Sequence, residues 1–261
     1  PFADTLKTMH ELAMILRKEK TSRGYIDFGI DEAKIIQDKN GKAIDIVKRV
    51  QGTGEKLIED FMIAANETVA THISNMDLPF IYRVHDLPNA EKIEDFTNLI
   101  KQMGYQIHTN LNKITPVTMQ NLLNEFRDKD EFVILSDMLL RSMKKAIYST
   151  NNIGHFGLAS KNYTHFTSPI RRFPDLTVHR LLRTYLFENR IDMETINFNA
   201  KYLIDVAEHS SETEVNAIEA ERDVLDMKMA EYMMDHIGEE YTGIISGVTN
   251  FGLFVELDNL V

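Results

Sequence analysis

The sequence predicts an α+β fold, rich in helix, with short and mostly antiparallel strands. Three observations predict it. Apolar residues recur at helical spacing through several long segments, as in Leu6, Met9, Leu12, Ala13 and Leu16. Short alternating segments flank Asp38-Lys39-Asn40-Gly41, whose Asn-Gly step is a strong hairpin signal. With 43% hydrophobic residues in 261, the chain can bury a real core, in one large domain or two smaller ones.

Residues 3–20 are the first expected helix, with lysines opposite its apolar stripe. His10-Glu11 lacks a second histidine at Met14, so it is no zinc-protease site. Residues 25–30 alternate like a strand, and 35–36 with 43–47 make the hairpin. Residues 53–76 read as a long helix burying Ile58, Met62, Ala65, Val69 and Ile73. On it Glu59 and Asn66 share a face, and read plainly as a solvated carboxylate and a polar surface residue. Residues 79–86 form a strand. Residues 89–103, stopped by Gly104, and 115–126, with Pro116 in the first turn, are helices. Asp128-Lys129-Asp130-Glu131 reads as a solvated turn rather than a metal site. A helix over 132–145 points Leu135, Met138, Leu139 and Met143 inward. Strands over 146–149 and 153–166 surround Thr150-Asn151-Asn152, and a helix then runs to 188. The helix over 198–208 is interrupted at His209-Ser210-Ser211. Ser211-Glu212-Thr213-Glu214 fits a capping box for a new helix to about 236, burying Val215, Ile218, Leu225, Met229 and Met233. Residues 241–248 and 251–257 are two strands.

The net charge of −11 argues against a generally sticky nucleic-acid binder, but phosphate binding depends on local clusters. Arg171, Arg172, Arg180 and Arg183 are such a cluster. The absence of cysteine excludes disulfides and thiolate metal sites. The nine histidines show no metal-ligand spacing. No apolar run is long enough to span a membrane and no signal pattern opens the chain. A cytoplasmic location is the expectation, and the sequons at Asn66 and Asn162 are discounted accordingly. A start at Pro1 and an end at Val261, inside a strand, suggest a piece of a longer protein.

The chemistry concentrates in residues 163–182: Tyr163-Thr164-His165-Phe166-Thr167-Ser168-Pro169-Ile170-Arg171-Arg172-Phe173-Pro174-Asp175, then Leu176 to Leu182. The pattern is a strand, a sharp turn and a helix that starts at either proline. Arginines that fork onto phosphate oxygens, hydroxyls that donate and rings that stack are what a phosphodiester asks for. The bland alternative is a surface helix start with an Arg171–Asp175 ion pair.

This stretch resembles the signature of the ribonuclease II and ribonuclease R (RNB) family of 3′-to-5′ exoribonucleases, Y-x-H-F-T-S-P-I-R-R-[YF]-x-D-L-x-x-H-R, nearly unbroken from Tyr163 to Arg180. Arg23 to Phe28, Leu57 to Asn66 and Glu219 to Val224 resemble further segments of that family, in its order. The last strands resemble the start of an OB-fold RNA-binding domain. The resemblance implies a division into 1–236, the C-terminal part of an RNB-type catalytic domain, and 237–261, the start of the OB-fold. It implies processive hydrolysis of single-stranded RNA to nucleoside 5′-monophosphates, with Mg2+ activating water. Arg171 would meet the scissile phosphate, with Arg172 on a backbone phosphate or a structural partner. Ser168 would contact substrate, and Tyr163 and His165 would line the channel. Glu221, with Glu59 or Asp60, would accept from hydroxyls of the terminal nucleotide. The family's D-x-D-D-type metal ligands have no counterpart here: Asp27, Asp31 and the acids of 128–131 have the wrong spacing. The chain is therefore expected to lack the magnesium-binding half and to be inactive alone. The competing expectation is a non-enzymatic RNA-binding or adaptor module.

Overall fold

The computed structural model describes residues 2–29, 32–111, 113–129, 131–257 and 261. Ile30 and Asp31, from the expected first strand and the acid list, and Asp130, from the acidic turn, lie outside them. In chain order the elements are α1 (Ala3–Ser22), β1 (Glu32–Gln37), β2 (Ala43–Arg49), α2 (Thr53–Asn75), β3 (Tyr82–Val84), α3 (Ala90–Gln102), α4 (Pro116–Glu125), α5 (Phe132–Ser142), β4 (Ile147–Ser149), a 3-10 turn (Phe156–Leu158), α6 (Phe173–Leu182), a π-helical turn (Arg183–Phe187), α7 (Met193–Met234), β5 (Gly243–Thr249) and β6 (Gly252–Leu257). Among the described residues the strands pair as three two-stranded antiparallel sheets: β1–β2 and β5–β6 are hairpins, and β3–β4 joins strands separated by α3, α4 and α5. The fold is the helix-rich α+β type that the sequence predicts.

Local signals set many of the boundaries. Asn89 caps α3 by accepting from Lys92 N, and Thr115 caps α4 by accepting from Thr118 N. Asp38 Oδ1 accepts from Asn40 N and Lys42 N, and Gly41 takes φ +82° to close the β1–β2 turn.

By packing the chain forms two units, residues 1–28 with 53–212, and 29–52 with 213–261. The first unit has two apolar centres. Ala70 and Ile73 of α2, Tyr82 of β3, Val178 of α6 and Leu203 of α7 belong to one. Ile100 of α3, Met119 of α4, and Leu135 and Leu139 of α5 belong to the other. In the second unit Lys228 of α7 donates to the Gly41 carbonyl, and Glu231 accepts from Ala43 N.

Several expectations are corrected. Residues 25–29 are not a strand. Their backbone is met by side chains instead of a ladder: Gln120 donates to the Tyr25 carbonyl and Arg127 to the Asp27 carbonyl. The buried face of α2 is turned from the expected stripe: Leu57, Asp60, Asn66, Ala70 and Ile73 are inside and Ile58 is exposed. Polar partners from other elements draw Asp60 and Asn66 inward. Residues 153–166 form no continuous strand, because Gly154 and Ala159 take φ +80° and +52° around the 3-10 turn. The helix starts at Phe173, with the second proline, Pro174, in its first turn, since 169–171 is a turn. Finally, α7 runs unbroken through the expected stop at 209–211. The Ser211 hydroxyl donates to the Ala207 carbonyl one turn back and accepts from Tyr148 N, so it is spent inside a continuous helix rather than as a cap. The fully buried residues of α7 end at Ser210; Val215, Leu225, Met229 and Met233 are half-buried and Ile218 is exposed.

Candidate functional site

The chain enters the site extended, without a ladder of its own. The Tyr163 carbonyl accepts from Arg83 N, and the buried Thr164 hydroxyl donates to the Ile81 carbonyl at 2.7 Å. Asn66 of α2 tethers this segment twice. Its Nδ2 donates to Tyr163 Oη and its Oδ1 accepts from Phe166 N, both at 3.0 Å. Asn66 is 2% exposed, so the expected surface residue is a buried tether. His179 of α6 stacks on Phe166 at 4.3 Å, and its Nε2 donates to the Phe166 carbonyl at 2.9 Å.

The chain then turns at 168–172. The Ser168 carbonyl accepts from the backbone N–H groups of Arg171 and Arg172. Asp175, in the first turn of α6 and 0% exposed, holds the turn from below. Its Oδ1 accepts from Ser168 N at 2.7 Å and from Arg172 Nη2 at 2.9 Å, and its Oδ2 lies 2.8 Å from Arg172 Nε. The guanidinium thus faces both carboxylate oxygens at the positive end of a helix dipole, with one hydrogen bond from Nη2 to Oδ1 and, at Nε and Oδ2, a close ion pair whose geometry makes no hydrogen bond. The ion pair therefore joins Arg172, not Arg171, to Asp175. Arg171 is left exposed, next to a fully exposed Ile170. Arg180 lies over the Phe173 ring, and Arg183 pairs with Glu188 at 2.8 Å. The Thr167 hydroxyl is buried with no hydrogen-bond partner among the described residues.

Beside this turn runs a row of rings. His85 meets His155 at 5.1 Å, His155 meets Tyr163 at 5.2 Å, Tyr163 meets His165 at 5.9 Å, and His165 meets Tyr148 at 5.6 Å. Arg83 sits 4.7 Å over the Tyr148 ring, its cross-strand neighbour in the β3–β4 register. Gly157 N donates to His85 Nδ1 and Leu158 N to His155 Nδ1, so each ring carries its proton on the other nitrogen. Burial, then the Arg172 and Arg83 charges, pushes His165 down to about 2. Burial, then His85 and Arg83, pushes His155 down to about 3, and burial lowers His85 as well. These histidines are neutral at neutral pH and offer faces and hydrogen bonds, not protons. His85 and His155 also line a cleft of about 510 Å³, with Arg23, Asp86, Asn152 and Lys161 on its walls. Spacing along the chain gave no sign of this row, because β3, the 3-10 turn and residues 163–165 bring together rings far apart in sequence.

The two adjacent carboxylates of α2 differ sharply. Asp60 is 3% exposed and is met by Arg17 Nη2 at 2.6 Å and Lys20 Nζ at 3.0 Å, both from α1. Lys20, 5% exposed, also reaches Glu59 at 3.3 Å and lies over the Tyr25 ring. Glu59 keeps 38% of its side chain exposed and accepts from Tyr25 Oη. Burial, then the Glu59 charge, raises the Tyr25 phenol. Glu221 lies on the second unit, exposed on α7. The magnesium that the resemblance implies finds no matching ligand set here. Among the described residues no three of His, Cys, Asp and Glu come together to hold a metal ion.

The chain belongs to the RNB domain family, whose model matches residues 2–188. It is 48% identical over 259 residues to Ribonuclease R 1 of Lactococcus lactis, covering 99% of this chain and 32% of that protein. It is also 48% identical over 259 residues to Ribonuclease R of Thermotoga maritima, covering 98% and 36%. The solved structure of Mycoplasma genitalium RNase R in complex with ribose methylated single-stranded RNA matches with a TM-score of 0.93 at 33% identity, over 98% of this chain and 40% of that one. The chain thus spans about a third of the length of the curated relatives it matches.

Proposed function

We propose that this chain works in a 3′-to-5′ exoribonuclease that hydrolyses single-stranded RNA to nucleoside 5′-monophosphates. The observation that carries the reading is the turn at 168–172. It holds an exposed Arg171 outward from a pair of half-buried Arg172 and buried Asp175, inside the motif shared with the family. An outward guanidinium on a braced turn suits a phosphate whose charge grows during hydrolysis. Tyr163, His165 and Ser168 border that turn as neutral groups, which leave the field of the arginine undiminished. Of the adjacent carboxylates Glu59 and Asp60 on α2, Glu59 is the one with an oxygen to offer a ribose hydroxyl, because Asp60 is committed to Arg17 and Lys20. Glu221 is a separate proposal for the same chemistry. In this reading residues 1–236 are part of the catalytic domain and 237–261 begin an OB-fold. Mg2+ would be held by aspartates outside this stretch. Among the described residues no helix is long and apolar enough to cross a membrane. A cytoplasmic location is part of the same proposal.

The test is degradation of a 5′-labelled single-stranded RNA in magnesium, by this chain and by a version extended N-terminally to carry the aspartate cluster. Only the extended version is expected to trim from the 3′ end. In it, Arg171→Ala should lower turnover by about 10²–10³-fold. If neither version trims, the non-enzymatic RNA-binding module takes over.

A further inference from the structure

We propose that Arg172 and Asp175 are a positioning pair that aims Arg171, and that Arg172 does not itself bind RNA phosphate. The inference rests on the reading of Arg171 as the phosphate-facing residue.

Arg172 is committed to Asp175 by one hydrogen bond and a close ion pair. Two of the three nitrogens of Arg172 face Asp175, and its side chain is 18% exposed against 0% for the aspartate. Withdrawing that guanidinium to meet a phosphate would leave Asp175 charged and buried with only the Ser168 N–H, which is strongly unfavourable. The carboxylate also grips both ends of the turn, Ser168 through its backbone N–H and Arg172 through its side chain. Arg171 lies between those two grips, with its own N–H on the Ser168 carbonyl. Its Cα and the direction of its side chain are therefore set by the pair. Asn66 on Phe166 N and His179 on the Phe166 carbonyl brace the approach to the turn. With both grips loosened, Arg171 drifts, and a displacement near 1 Å at a reacting group costs on the order of 10²-fold in rate.

The experiment uses the intact protein, and measures kcat, RNA affinity and the salt dependence of that affinity. Arg172→Ala is expected to lower kcat by about 10²-fold with affinity and salt slope unchanged. Arg172→Lys keeps a cation beside Asp175 but loses the second nitrogen facing it, and should lose only about 10-fold. In an Arg171→Ala background, Arg172→Ala should change kcat by less than about 3-fold, because the residue it positions is gone. The proposal is overturned if Arg172→Ala weakens RNA binding across sequences, flattens the salt slope by about 1 and adds fully to Arg171→Ala, since that is a direct phosphate contact. It is equally overturned if Arg172→Lys, which preserves the ion pair and the fold, keeps wild-type kcat and Arg172→Ala melts cooperatively with full activity. Full turnover in Arg171→Ala alone would instead remove the catalytic reading, and the purpose of the pair with it.

Discussion

Two places in the first unit repeat one arrangement. At 59–60 two acids are neighbours, and at 171–172 two arginines are neighbours. In each, one member is held in ion pairs and the other is left toward solvent. Asp60 is held by Arg17 and Lys20, and Arg172 by Asp175. Glu59 and Arg171 are the members left toward solvent, and in the proposed function they are the ones that meet the RNA. They differ in degree: Glu59 still shares Lys20 and Tyr25, whereas Arg171 is given no side-chain partner by the turn that carries it. The lesson is that a doubled charge in a motif divides its labour. One residue builds the platform, and its neighbour stands on it.

Stability measurements on the buried members give the largest effects. Asp175→Ala leaves Arg172 without its carboxylate, and Asp60→Ala does the same to Arg17 and Lys20; each should cost about 3–5 kcal/mol in urea denaturation. A cost under about 1 kcal/mol for either would erase the contrast. Next comes Asn66→Ala, which leaves Phe166 N and Tyr163 Oη without their tether and should cost about 1–3 kcal/mol. A pH series sharpens the picture around the ring row. His165 and His155 take protons at about 2 and about 3 when folded, against about 6.5 when unfolded. The unfolded chain therefore binds more protons below that value. Stability is full above about pH 6.5 and falls as the pH drops toward 3. The urea midpoint should decline from pH 7 to pH 5, less steeply in His165→Gln; an unchanged midpoint across that range would count against buried neutral rings. The smallest effect belongs to the outward member: Arg171→Ala should shift stability by no more than about 0.5 kcal/mol while removing activity.

Much of this was legible in the sequence. Helices α3 and α4 begin where Asn89 and Thr115 can cap them, and the β1–β2 hairpin turns where Asn40-Gly41 says it must. These are local effects, settled within four residues by backbone hydrogen bonds and φ preferences. Arg171 could be singled out because its motif is long and contiguous. The rest needed contacts between distant residues. Ser211 was read as a cap, yet Tyr148 N, 63 residues away, makes it part of a continuous helix. Residues 153–166 read as a strand, and their backbone does meet β3 and its edge at separate points, with His85 N on the Gly154 carbonyl and Arg83 N on the Tyr163 carbonyl, but between those points it folds around Gly154 and Ala159.

What the sequence determined by itself was the list of elements, most of their ends and the motif that carries the chemistry, because period, capping and turn preference act along the chain. Only the tertiary structure decided which member of each charged pair is spent. Burial depends on what packs across the interior: Arg17 and Lys20 come to Asp60 from α1, some 40 residues away, and Asp175 reaches back to Arg172 only because α6 starts at Phe173, beside the second proline, rather than at Pro169. A charge beside a partner in low dielectric is committed, and its identical-looking neighbour in water is free to act.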